Sequence, residues 1–168
     1  MKNPQKNIDV GLLVASTVGI YERSSKWSKV QAQHLLKQPY CIACGKNVKY
    51  TNGLQVHHII PYHICIELGR ADLELDERNL ISLCQTQENI TTPNHHLIIG
   101  HLNDWESFNK TVKTNASKTF YAQSSAQIKL NLTWLKMCLK KPKRITDMSS
   151  LEKQQLTQYI NKKFPLTK

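Results

Sequence analysis

Between Cys41 and His101 the chain crowds residues that can ligate a metal: Cys41, Cys44, His57, His58, His63, Cys65, Cys84, His95, His96 and His101. One tetrahedral site needs four. The surplus predicts two sites, one that shapes the fold and one that does chemistry. Cys41 and Cys44 lie in CIACG, a knuckle in which two thiolates leave one turn and the next residue, Gly45, lets amides approach sulfur. Two more ligands must close that tetrahedron. Cys84 at the end of LISLC supplies one. The fourth is open between His95 and Cys65, and Cys65 reads more readily as a buried thiol. His57 and His58 are neighbours on an expected strand and so point to opposite faces. One can hold a metal while the other acts on water. His96 and His101, near a helix start, could come round to the same ion.

Composition narrows the partners. A chain of 168 residues fits one domain with extensions, and its net charge of +11, with pI near 9.5, favours a polyanion such as DNA, RNA or an anionic membrane surface. The cysteine count of 5 is odd, which argues against a secreted disulfide framework and for metal ligation in a reducing compartment. Cys138 reads as a small buried apolar residue. No apolar run is long enough to span a bilayer. The segment Val10 to Ile20 imitates a signal-peptide core, but Asp9 interrupts its flank and no small-x-small cleavage site follows. The expected location is the cytoplasm.

Residues 1–22 read as a lead-in. Arg23 to Gln38 predicts a helix capped by Ser24 or Ser25, with Trp27, Val30, His34 and either Leu35 or Leu36 on one face, ended by Pro39. KNVKYTNGLQVHHII predicts two short strands joined at Asn52-Gly53. His63 to Asp76 reads as an acidic loop, LISLC as a short apolar segment, and Gln85 to Asn94 as an inserted loop. A helix starts near His95. The segment 111–127 reads as a polar linker or irregular packing segment, and Ile128 to Lys141 as a helix. Ser149 or Ser150 caps a last helix. Trp105, Phe108 and Trp134 are expected in the core.

CIAC, LQVHHIIP, LELDERNLISLC and NHHLIIGH, with DWESFN beyond and RSSKW ahead, together resemble the HNH endonucleases of the ββα-metal (His-Me finger) superfamily, in their small bacterial and phage form. The resemblance spans about residues 23–110. It implies an α+β fold: a ββα-metal core with a zinc knuckle, flanked by helices on both sides, with 111–168 as a basic helical extension. It implies hydrolysis of DNA phosphodiester bonds. His58 would be the general base, His57 and His96 ligands of a divalent ion (Mg²⁺, Mn²⁺ or Ni²⁺), and Asn79 the residue that steadies the loop. His101 falls near a further ligand position, although its spacing from His96 departs from the pattern. Cys41, Cys44 and Cys84 correspond to the structural zinc site. Relatives often carry a second Cys-x2-Cys where this chain has Gln87 and His95, so His95 is inferred as the fourth zinc ligand. Lys46, Lys49, Lys140, Lys141, Lys143 and Arg144 are the expected phosphate contacts on double-stranded DNA. Paired cleavage would need two copies, which leaves a homodimer open. The alternative is a zinc-knuckle DNA-binding or adaptor module that does not cut.

Overall fold

The strand that carries the paired histidines is built against LISLC. In the computed structural model, which describes residues 22–47, 53–85, 94–131, 133, 134, 137 and 144–166, β1 (Leu54–His58) pairs antiparallel with β2 (Leu80–Cys84). Leu54 lies opposite Cys84 and His58 opposite Leu80. The strand expected ahead of Asn52-Gly53 falls on residues 48–52, outside the described residues, and Asn47 makes an isolated bridge to Tyr40. The β1–β2 pairing has a physical reason: all five residues of β2 are buried. Its backbone groups need a ladder partner away from water, and β1 supplies it.

The segment expected as an acidic loop is helical. Helix α2 (Tyr62–Glu67) stops at Gly69, whose φ of +70° suits a C-terminal cap. Short 3₁₀ turns at Ala71–Glu74 and Glu77–Asn79 then lead into β2. Glu74, which reads as a surface acid, is only 2% exposed. Ahead of the knuckle, α1 (Trp27–Lys37) turns Trp27, Val30, His34 and Leu35 inward and leaves Leu36 exposed. Neither Ser24 nor Ser25 is its N-cap residue. Ser24 instead receives the Lys26 amide on its hydroxyl at 3.2 Å, which starts the first turn.

Beyond β2 comes a π-helical turn, His96–Gly100. It is followed by α3 (Val112–Thr114), which runs into a second π-helical turn at Asn115–Thr119. Helix α4 (Ser125–Leu130) opens with a Ser124–Gln127 capping box. Helix α5 (Ser150–Lys163) opens with one made by Ser149 and Glu152, which settles the expected cap on Ser149 rather than Ser150. Of the two readings of the polar segment, linker or irregular packing segment, the second holds: it buries Val112, Ala116 and Phe120, four residues apart, in the same apolar cluster as Ile60, Leu83 and Ile98. Trp134 packs edge-on to Phe120 at 5.4 Å, in the core as expected. Ile160 and Phe164 of the C-terminal segment close the cluster.

One buried cation fastens that last segment. Arg70 holds Asp72 through two bonds of 2.8 Å, donates to Asn161 Oδ1 at 2.8 Å and to the Phe164 carbonyl at 2.9 Å. Replacing it leaves buried acceptors unpaired. Arg70→Met is expected to remove about 2–4 kcal/mol of stability, read as a lower urea midpoint with an unchanged denaturant slope.

Candidate functional site

The knuckle turn sets the first cluster. Gly45, at φ +69°, closes the turn by donating its amide to the Cys41 carbonyl at 2.8 Å. The Ile42 amide bonds the Ser82 carbonyl at 3.0 Å, so the knuckle rides on β2, whose last residue is Cys84. Cys44 Sγ lies 3.5 Å from Cys84 Sγ, and Cys41 Sγ lies 3.6 Å from His95 Nδ1. The four ligand atoms of Cys41, Cys44, Cys84 and His95 all lie within 4.8 Å of one another. His95 donates its Nε2–H to the Gln123 carbonyl at 3.0 Å, which turns Nδ1 towards the sulfurs, the nitrogen a metal would take in place of a proton. Hydrogen bonds from Cys44 and Cys84 hold the Cys41 thiol far below its ordinary range, while contact with Cys41 and Cys44 pushes Cys84 up. Burial would lower His95, but its bonds to Cys41 and Cys44 outweigh that and raise it to about 9. Three thiols and an imidazole crowded this closely cannot all ionise unaided, and a cation among them would let the sulfurs do so. Cys65 stands apart: it is buried, donates to the Ile60 carbonyl at 3.4 Å, and is pushed up to about 12 mainly by burial.

The second cluster lies at the other end of the ribbon. His57, His96 and His101 bring one nitrogen each within 4.8 Å of the others, with ring centroids 4.9–5.0 Å apart. The five-residue spacing of His96 and His101 is resolved by the π-helical turn. Its wider coil returns His101 above His96, and the His101 amide bonds the His96 carbonyl at 3.2 Å. Both rings are oriented from behind. His96 donates Nδ1–H to Gln85 Oε1 at 2.6 Å, and His101 donates Nδ1–H to the Ser107 carbonyl at 2.9 Å. Each therefore keeps a lone pair on Nε2. Among the described residues His57 Nε2 is buried and has no hydrogen-bond partner. An unpartnered buried ring nitrogen beside two lone pairs is what a divalent ion would relieve. Burial pushes all three imidazoles below their usual value, well below for His57 and to about 3 for His96.

His58 faces the other way from His57. Its Nε2–H donates to the Glu74 carbonyl at 3.0 Å, and its ring stacks on Trp27 at 4.6 Å. Nδ1 is left as the proton acceptor. Burial, opposed in part by that hydrogen bond and helped by the charge of Arg23, lowers His58 to about 4. The Glu74 loop is clamped by fully buried Asn79. Asn79 accepts the Ile60 amide at 2.8 Å and donates to the Ile60 and Leu73 carbonyls at 3.0 and 3.1 Å. The Glu74 carboxylate in turn receives the Ser24 amide at 3.1 Å and Arg23 Nη1 at 3.4 Å. Arg23 also lies over the Trp27 and Tyr62 rings, at 4.6 and 5.1 Å. An open cleft of about 340 Å³ joins Arg23, Tyr62, His57, His58, His63, His96, His101 and Trp105.

The sequence did not single out several of these parts. Gly100 packs on His57: a Cβ there would come 2.9 Å from His57 Cε1. Arg23 and Glu74 carried no signal beyond the RSSKW and LELDER blocks. Trp105, expected in the core, is 48% exposed, because the loop that carries it is pinned below the ring by Ser107. Lys46 is exposed. Arg144 is engaged by Asp104 at 3.1 Å and Glu106 at 2.8 Å. Lys49, Lys140, Lys141 and Lys143, and also Cys138, lie outside the described residues.

Two outcomes follow from this geometry. Gly100→Ala is expected to displace the His57 ring and to weaken divalent-ion binding at least about tenfold by titration calorimetry, the scale of a disturbed ligand-orienting contact. The second concerns pH. Folding keeps His57, His58, His96 and His101 neutral where unfolded histidines, near pH 6.5, would take protons. In the metal-free protein their contribution is complete above about pH 6.5 and is lost as pH falls through about 4 for His58 and about 3 for His96. His95 runs the other way: its contribution is complete below about pH 6.5 and is lost as pH rises through about 9. Urea midpoints of chelated protein should therefore fall on acidification from pH 7 to 4.

Among the described residues no helix is long and apolar enough to cross a membrane. No curated protein and no solved structure matches the chain. A family model does: the one described as HNH endonuclease matches residues 41–86, which hold Cys41, Cys44, His57, His58, Asn79 and Cys84. His95, His96 and His101 lie beyond the matched stretch and are brought to it by the turn after β2. With the knuckle, the two paired strands and the tandem histidines all inside that match, the chain carries an HNH endonuclease-family domain.

Proposed function

We propose that this protein is a metal-dependent endonuclease that hydrolyses phosphodiester bonds in DNA. The observation that carries the reading is the convergence of three imidazole nitrogens, from His57, His96 and His101, in one cleft with a fourth, carbonyl-oriented histidine, His58. His57, His96 and His101 would hold the catalytic ion. Bound there, a divalent cation supplies positive charge against the phosphate and leaving-group oxygens as negative charge grows on them. An all-imidazole set suits Mn²⁺ or Ni²⁺ better than Mg²⁺. The Cys41, Cys44, Cys84 and His95 set would hold a structural zinc.

His58 Nδ1 takes the proton from the attacking water. The Glu74 carbonyl, already bonded to Nε2–H, stabilises the imidazolium that forms, and Asn79 keeps that carbonyl loop in place. The low affinity of His58 for protons keeps it available as a base well below neutrality. An anionic phosphate beside Arg23 would offset the guanidinium charge and raise that affinity towards the range useful for catalysis. Arg23 is the cleft's own cation for a non-bridging oxygen, and Lys46 with the overall charge of +11 supplies salt-sensitive, sequence-independent attraction. Clustered free thiols at a metal site suit a reducing compartment such as the cytoplasm. One cleft of this kind nicks one strand, and cutting both would take two copies.

Incubation of supercoiled plasmid with Mn²⁺ or Ni²⁺ is expected to give nicked circles, and chelation to stop it. His58→Ala should lower turnover by about 10²–10⁴-fold while leaving ion binding in place. Metal analysis should return one tightly held zinc. A protein that retards the plasmid but never nicks it is a binding module, and the nuclease reading then fails. For the active protein the acid limb of kcat/KM should lie below pH 6.5, since the free-enzyme cleft histidines His57, His58 and His96 are depressed.

A further inference from the structure

Trp105 is the largest side chain that the cleft leaves in water. Its indole stands 48% exposed at the rim, edge-on to His96 at 5.3 Å and tilted over His101 at 4.9 Å. A tryptophan in a loop ordinarily folds down onto the nearest apolar surface. Here the loop forbids it. Leu102 and Asn103 both adopt left-handed backbone, φ 53° and 64°, an arrangement that persists only where surrounding contacts enforce it. The enforcing contacts are visible. Ser107, 1% exposed, donates its hydroxyl to the His101 and Asp104 carbonyls, and its own carbonyl holds His101 Nδ1. Arg144 bridges Asp104 and Glu106 on either side of the indole, so the flanking carboxylates that would repel a phosphate are paired. The ring is thus displayed beside the proposed ion site, in a cleft that Arg23 and Tyr62 also line.

Resting on the nuclease reading above, we infer that Trp105 is a stacking platform for a nucleobase next to the scissile phosphate, and that the preferred substrate is DNA with an unpaired base at that position. In an intact duplex both faces of each base are already covered by neighbours. A base in a single strand, a flap or a bulge has a free face, and an indole plane is the sequence-tolerant partner for it. Arg23, in the same cleft, would then meet the adjoining phosphate.

The test uses the full chain with His58→Ala, so that DNA binds without being cut, in the presence of Mn²⁺. Fluorescence anisotropy compares short single strands, the same sequence as a duplex, and that duplex with a one-base bulge. Unpaired substrates should bind at least about fivefold more tightly than duplex, and Trp105→Ala should lose at least about fivefold on unpaired substrates with little change on duplex. Trp105→Phe, which keeps a ring, should retain most of the preference and guards against a folding defect in the alanine variant. Equal affinity for all three substrates, or an equal loss on all three, overturns the platform. So does a Trp105→Ala protein whose Mn²⁺ affinity falls in step with its DNA affinity, since the indole would then merely shield the histidines. The plasmid assay on protein with His58 intact reads the nuclease proposal separately: nicking without the binding pattern sinks the platform alone, and the binding pattern without nicking sinks the nuclease alone.

Discussion

A ribbon of two five-residue strands is too small to hold itself together in water. Everything at the site depends on how that ribbon is pinned at both ends. At the Cys84 end the knuckle and His95 gather around β2. At the His58 end Asn79 bonds the Ile60 amide and carbonyl and the Leu73 carbonyl from a fully buried position. Between the pins the ladder fixes His57 opposite Ile81 and His58 opposite Leu80. Pleating then sends the two imidazoles to opposite faces. A slip of one residue would exchange their roles.

The pinned ribbon explains why the histidines are so well oriented. His58, His95, His96 and His101 each give one N–H to an acceptor behind them: the Glu74, Gln123 and Ser107 carbonyls and the Gln85 side chain. Each ring is thereby oriented with its other nitrogen forward. Burial keeps the cleft imidazoles neutral at neutral pH, so an ion would not have to compete with protons there. At the sulfur cluster the balance is reversed, and proximity to thiols draws protons toward His95. The same residue type serves two environments, set by what lies within hydrogen-bond reach.

The C-terminal third takes part in this scaffold rather than trailing from it. Phe120, Trp134, Ile160 and Phe164 share one apolar cluster with Ile60 and Leu83, and Arg70 ties the end of α5 to the connection before β2. Gln123, the residue that orients His95, also comes from beyond the family match. The knuckle therefore depends on packing supplied by residues that carry no motif.

What the residues announce on their own is chemistry with fixed local spacing. A Cys-x2-Cys followed by glycine, two histidines in tandem, and a serine three residues ahead of a glutamate each declare a turn, a divided pair of faces or a helix cap, because only a few bonds separate the groups involved. Partnership across the chain was decided by the tertiary structure. It made β2 a mate of β1, because five buried residues of LISLC needed a ladder. It folded an apparent acidic loop so that Glu74 became a buried anchor, and it drove apolar residues four apart out of a polar segment into the core. It set His101 over His96 through a wide helical turn that no spacing rule for an α-helix contains, and it held Trp105 in water where a tryptophan reads as core. Those choices follow from which buried groups find partners, and that is a property of the assembled chain rather than of any one stretch of it.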